Sequence, residues 1–304
     1  MNFKNILIVM FLSSLLLLTA CGGGTPAQTI SQAYIGGTSG IGVIFEPFSI
    51  QEEGVYTVFD SEDFPIEVSV TNGGEETIGP GDLELTLLGP AKDSFINIPM
   101  WELSNTETIE KKSEFNPEGG EEIISFTPNS LAKYVEEVIG YTDVSWNLNY
   151  EYKYATHLII NDVCFKGDLR DERVCNVKES KSYSVSGAPI TVTSVEEDTA
   201  GRGIVILKIG ISNAQTGEST KIGEDFDDRF SKVAYTIDEP EKWGCSSGGR
   251  DNEARLIDGK AEIICRLATP LATEDLYTQP VQLTIDYVYQ DLIVDILRVK
   301  QSAE

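Results

Sequence analysis

The chain reads as an all-β protein: two tandem antiparallel β-sandwich domains with one short helix, behind an exported leader and a flexible tether. Three observations predict this. Apolar and polar residues alternate with period two through most of the 304 residues. Twenty-seven glycines and twelve prolines break those runs into short segments, as many turns require. A strand-and-turn pattern from the first half recurs in the second at nearly the same interval.

The leader comes first. Met1–Ala20 carries one charge, Lys4, then an apolar core from Ile6 to Leu18 and small residues, the layout of a secretory signal. That core is shorter than the roughly 20 apolar residues a bilayer span needs. Leu18-Thr19-Ala20-Cys21 resembles the lipobox of prokaryotic lipoproteins. The resemblance implies cleavage before Cys21, with lipid on the Cys21 thiol and on the new amino terminus. Residues 21–32 follow as a tether, small and polar from Gly22 to Thr29. At about 5–6 Å times the square root of its length, that octapeptide spans only ~15–20 Å. The folded part is therefore expected close over the lipid surface.

Residues 33–185 are expected to form the first sandwich and 186–304 the second. In Pro65–Asn72, Ile66, Val68 and Val70 share one face, and Asn72-Gly73-Gly74 supplies a turn. Asp82–Leu87 repeats the alternation and Gly89-Pro90 ends it; Gly119-Gly120 precedes a strand at Ile123–Phe126. The expected helix follows, with Leu131, Tyr134, Val135, Val138 and Ile139 at helical spacing behind Asn129 or Ser130, ended by Gly140. Trp146–Tyr154 then alternates large apolar with polar residues and continues to Ile160. In the second half, strands are expected at Ile190–Val195, Val205–Ile211, Ala261–Cys265 and Val281–Tyr289. After a turn at Gln290-Asp291, Leu292–Val299 is expected as a last strand.

The recurrence sets Val68–Asn72 beside Ile209–Asn213, and Leu148–Tyr152 beside Ile285–Tyr289. A strand ending in Asn-Gly, and Gly119-Gly120-Glu121-Glu122 before Ile124-Ser125-Phe126, resemble the Ig-like adhesion modules of prokaryotic surface proteins, the CARDB-like group especially. That resemblance implies tandem Ig-like sandwiches and brings no binding residues at fixed positions.

Net charge is −26, and near −27 once Lys4 leaves with the signal, 22 basic residues against 49 acidic. Such a surface repels nucleic acid and anionic lipid headgroups. Beyond Cys21, four cysteines remain: Cys164, Cys175, Cys245 and Cys265. An even set in an exported chain predicts disulfides. Of three possible pairings, locality favours Cys164–Cys175 and Cys245–Cys265, each worth about 3 kcal/mol in the chain-entropy model. Zinc is disfavoured, since Cys-x-x-Cys is absent and His157 is the one histidine. His157 is expected as a strand residue.

No catalytic set, metal site or cofactor is expected. Gly36-Gly37-Thr38-Ser39-Gly40-Ile41-Gly42 resembles the glycine-rich cofactor turn of short-chain dehydrogenases, but a strand-like segment stopped by Pro47 follows it where a helix is needed. No tyrosine has lysine four residues on, as those enzymes require. The acidic clusters Asp60, Glu62, Asp63 and Glu224, Asp225, Asp227, Asp228 sit in polar stretches and lack calcium-loop spacing. Trp146 is expected in the core, and Trp243 as the most exposed of the three tryptophans. The expected role is that of a non-enzymatic structural, adhesive or assembly module of a cell envelope, extracytoplasmic and held to the membrane by its N-terminal lipid. Its expected partners are other envelope proteins or surface polymers. The alternative is an extracytoplasmic lipoprotein that captures a sugar or peptide.

Overall fold

Period-two alternation becomes strands whose buried faces are the apolar ones. The computed structural model describes residues 33–304 apart from Glu172, Val174, Asp228 and Glu304, so the leader, Cys21 and the tether lie outside the described residues. The chain begins with β1 (Ile41–Phe45), β2 (Gln51–Glu52), β3 (Val55–Phe59), β4 (Asp63–Phe64), β5 (Glu67–Asn72) and β6 (Leu83–Gly89). Next come β7 (Phe95–Ile96), β8 (Glu102–Ser104), β9 (Glu121–Ser125), β10 (Ala132–Tyr134) and β11 (Tyr141–Lys166). The middle holds β12 (Glu179–Ser180), β13 (Tyr183–Val185), β14 (Ile190–Thr199), β15 (Val205–Asn213), β16 (Glu218–Thr220) and β17 (Ser231–Ile237). It closes with β18 (Trp243–Ser247), β19 (Arg250–Asp251), β20 (Glu253–Leu256), β21 (Lys260–Leu267) and β22 (Leu276–Lys300).

The architecture hangs on β11 and β22. They pair antiparallel from Tyr141 opposite Lys300 to Lys166 opposite Leu276, with one irregularity between Ile160 and Val163. At ~3.3 Å per residue each strand is about 80 Å long. The first half of β11 is flanked by β6 and β8, and the last residues of β22 by β3; this sheet covers β1–β5–β9. The second half of β11 is flanked by β13, and the first half of β22 by β16 and β17; this sheet covers β12–β14–β15–β21–β18–β19. Each sandwich therefore contains strands from both sides of residue 186. Residues 33–304 form one compact unit around one continuous apolar core.

Two expectations are corrected. No turn interrupts β22 at Gln290-Asp291, which lie extended opposite Glu151 and Tyr150. Neither residue is Gly or Pro, β11 supplies an unbroken partner, and the odd-numbered face that buries Val281–Tyr289 is the one that buries Leu297 and Val299. The helix expected over 131–139 is absent; the short strand β10 lies there, between β4 and β7. Its helical stripe does not pack as one face, because Leu131, Val135 and Ile139 stay exposed while Val138 and the off-stripe Ala132 are buried. Tyr134 instead meets Phe95 at 5.2 Å between ring centres. Among the described residues the only helical segment is a 3-10 turn at Lys92–Ser94.

Both disulfides form as locality suggested, Cys164–Cys175 and Cys245–Cys265. The second joins directly opposed residues of β18 and β21. The first staples the loop between β11 and β12. Bonds of this kind persist in oxidising, extracytoplasmic compartments.

Candidate site at the joint of the two sandwiches

Midway along the ribbon, four buried tyrosines share one face. Tyr152 lies opposite Tyr289 and Tyr154 opposite Tyr287. Their ring pairs are 5.7 Å and 6.3 Å apart, tilted by 48° and 45°. The near identity reflects an approximate two-fold axis through the Lys153–Val288 pair. Hydrogen bonds repeat across it. Tyr154 Oη donates to Asn72 Oδ1 at 3.3 Å, and Tyr289 Oη to Asn213 Oδ1 at 3.0 Å. Each asparagine Oδ1 also accepts the amide two residues on, from Gly74 at 3.2 Å and Gln215 at 3.1 Å. Each Nδ2 donates to the carbonyl four residues on, of Glu76 and of Gly217, both at 2.6 Å. Tyr287 Oη accepts the Ile190 amide at 3.4 Å.

The recurrence read from the sequence thus has a structural counterpart, with one correction. Tyr152 and Tyr154 correspond to Tyr287 and Tyr289, a shift of two residues from the sequence match. A slip of two leaves every side chain on its own face, so alternation cannot reveal it.

Burial pushes the tyrosine hydroxyls up. Tyr150 is raised to about 12 by burial and then by the nearby Asp291 carboxylate; Tyr152, Tyr154, Tyr287 and Tyr289 rise further, burial leading in each. A phenol whose folded pKa is raised contributes stability that is whole below the unfolded value near 10 and is lost as pH rises toward the folded value. Alkaline unfolding is therefore expected above about pH 10, with these tyrosines ionising together as the fold opens. Absorbance at the phenolate band checks this: non-cooperative ionisation of all twelve tyrosines near pH ~10 contradicts it.

Beside the tyrosines, the Glu75 carboxylate fastens three amides. Oε1 accepts from Ile35 at 2.9 Å, and Oε2 from Gly36 at 2.8 Å and Gly187 at 2.7 Å. Gly36 and Gly37 have φ of 80° and 117°, a left-handed bend that glycine tolerates. The glycine-rich stretch therefore already holds an anionic group, the protein's own, and leads into β1 and not a helix. Glu75→Gln turns an amide NH₂ toward backbone donors and is expected to lower stability by about 1–3 kcal/mol. Urea unfolding measures it; a loss below about 0.5 kcal/mol counts against the clamp.

A cleft of about 330 Å³ opens here, lined by Ser39, Gly40, Gly42, Tyr150, Tyr152, Gln215, Tyr289 and Asp291. Its lining is drawn from β1 and the residues before it, from β11 and from β22.

His157 stands in β11, as expected, half-buried on the outward face. Its Nε2 is 3.0 Å from Glu76 Oε2, its Nδ1 is 3.5 Å from Thr284 Oγ1, and its ring stacks on Tyr34. Hydroxyl, imidazole and carboxylate stand in the order of a nucleophile relay. Thr284, however, lies between β11 and β17, so the surrounding amides serve the sheet and not an oxyanion hole.

The acidic clusters do not converge. Asp60 accepts the Ser302 amide, Glu62 the Phe59 amide, and Asp63 lies 3.7 Å from Lys133. Glu224 pairs with Lys221 and Asp227 with Arg229, while Asp228 is outside the described residues. Among the described residues no three of His, Cys, Asp and Glu gather as metal ligands. Trp146 is fully buried, as expected. Trp243 is not the exposed one: it is 6 % exposed on β18, against Phe165 at 6.0 Å. The alternation of β18 with its disulfide partner strand turns it inward.

Sequence reasoning missed Glu75 and its three amides, because nothing local marks a carboxylate that reaches 39 to 112 residues away. The Asn72 and Asn213 anchors were signalled by their recurrence.

No protein-family model matches the chain, and no curated protein matches it in sequence. Among solved structures, the secreted serine protease VesC from Vibrio cholerae is similar at 9% identity over 84% of this chain and 51% of that one, with a TM-score of 0.19. The chain spans about half the length of that protein. So low a score carries no argument about fold or activity.

Proposed function

We propose that this protein is a lipid-anchored, extracytoplasmic component of a cell envelope, whose fused sandwiches serve as a structural, adhesive or assembly module. The observation that supports this best is the shared β11–β22 ribbon. It makes the two sandwiches one body, suited to presenting a surface at fixed distance from its attachment. The disulfides agree with an oxidising location, and the acidic surface disfavours nucleic acid as a partner. Cys21 is the attachment point, and the strand-and-turn motifs resemble those of Ig-like modules of the CARDB-like kind. Mass spectrometry of the mature amino terminus tests the anchor: diacyl or triacyl Cys21 is expected, and an unmodified Cys21 or cleavage elsewhere overturns it.

A second reading, capture of a small sugar or peptide, is favoured by the cleft at the joint. Its size is within the range of small-ligand sites, and it pairs aromatic edges with Gln215 and Asp291. Saturable quenching of tyrosine emission, lost in Tyr150→Phe with Asp291→Asn, would be its signature.

A further inference from the structure

The two sandwiches close differently along one side. In the second, the stretch before β14 bridges both sheets. Its β12 pairs with β14, and its β13 pairs with β11, Tyr183 opposite Ile160 and Val185 opposite Leu158. Under the tyrosine correspondence, Ile293–Asp295 of β22 occupies the place of Leu158–Ile160. No strand among the described residues pairs there on the outer side. β16 reaches only Gln290, and β3 begins opposite Leu297. Six residues, Asp291–Ile296, form an open edge about 20 Å long.

The lead-in to β1 lies elsewhere: Tyr34 stacks on His157 of β11, and Glu75 fastens the Ile35 and Gly36 amides at the joint. The open edge has the marks of an empty strand position. The amides of Leu292 and Ile296 turn to the carboxylates of Asp291 and Asp295, at 2.8 and 2.7 Å. Leu292, Val294 and Ile296 are 49 %, 56 % and 46 % exposed in a row. Asp291 also accepts from Thr216, and among the described residues neither carboxylate has a cation partner.

We propose that Asp291–Ile296 of β22 is a seat for a strand donated by another protein chain. The occupant is an extended segment with apolar side chains beside Leu292, Val294 and Ile296, and a lysine or arginine beside Asp291 and Asp295. Cross-strand pairs of these kinds stabilise a sheet, and backbone pairing at an open edge supplies the affinity. The β22 of a second copy does not fit. β16 and β3 fill the flanking positions, so only a short segment that enters and leaves within the gap can lie there. The seat deepens the assembly reading, on which it rests for the source of the strand, and is independent of the anchor.

The test uses the purified mature protein and a short fluorescent peptide with a Val-Thr alternating core and lysine at each end. Saturable binding is expected, weaker at high salt, with slowed amide exchange confined to β22 between Leu292 and Ile296. Val294→Pro removes an amide on the open side, where an edge tolerates proline, and should weaken binding about ten-fold or more. Val294→Lys, at an exposed position, keeps the fold and should weaken the lysine-ended peptide too. A glutamate-ended peptide with the same core should bind at least about ten-fold more weakly. If Asp291 and Asp295 only guard the edge against pairing, no saturable binding occurs and the seat is refuted. Protection elsewhere, undiminished binding to both Val294 variants, or equal binding of the glutamate-ended peptide also refutes it. Peptide binding by a protein whose Cys21 proves unmodified upholds the seat while removing the anchor.

Discussion

Glu197→Ala is expected to lower the unfolding free energy by about 3–5 kcal/mol, the usual effect of breaking a buried ion pair from one side. Glu197 and Lys181 are 2 % and 8 % exposed. Lys181 Nζ is 2.7 Å from Glu197 Oε2 and 2.7 Å from Glu179 Oε1, and donates to the Asp162 carbonyl at 2.9 Å. Burial alone would draw the Lys181 ammonium down, but its bonds to Glu179 and Glu197 outweigh it and hold it above its ordinary value. Both Glu197 oxygens also accept the Cys164 amide, at 3.0 and 3.1 Å. Alanine therefore leaves an ammonium deprived of its most buried partner and an amide without an acceptor. Replacing the pair together, Lys181→Met with Glu197→Leu, should recover most of the loss, because an apolar pair needs no compensation. Urea unfolding of the three proteins decides it. A single variant within about 1 kcal/mol of the parent, or a double no better than the single, would show that the pair is not what holds this corner.

Trp146→Ala is expected to lose a similar amount, about 3–5 kcal/mol. The indole is fully buried at the centre of the first sandwich. Phe95 lies 5.0 Å away, Phe48 5.8 Å, Phe64 6.2 Å and Trp101 6.4 Å between ring centres. Those neighbours come from separate strands and loops, so the void cannot be closed by one local shift. Trp146 Nε1 has no hydrogen-bond partner among the described residues. Trp146→Phe removes that unsatisfied donor while keeping an aromatic ring, and should lose far less, near 1 kcal/mol. Thermal unfolding of both variants tests the pair of expectations. Equal losses would mean that ring packing is not the source.

Alternation made the strands legible because one face of each is buried: Ile66, Val68 and Val70, or Val205, Leu207 and Ile209, needed no partner to be recognised. Pairing was another matter. Period two says which side of a strand faces inward, but not which strand lies beside it, so the fusion of 281–289 with 292–299 and their match to β11 stayed hidden. The stripe at Leu131–Ile139 misled because its spacing suits a helix, while the core takes Val138 and part of Tyr134 from it, along with the off-stripe Ala132. The cysteine pairs were readable since loop closure is easiest over short separations, 11 and 20 residues here. At the joint, Asn72 and Asn213 announced themselves by repetition. Glu75 did not, because its role depends on Gly187 arriving from far along the chain.

The placement of β22 has a consequence for timing. The 25-residue strand β22 completes both sandwiches, so neither can close until that strand has left the ribosome. Pairings of such long range also form slowly. A newly made chain therefore holds both sandwiches unclosed, with their apolar faces uncovered, until β22 has been synthesised.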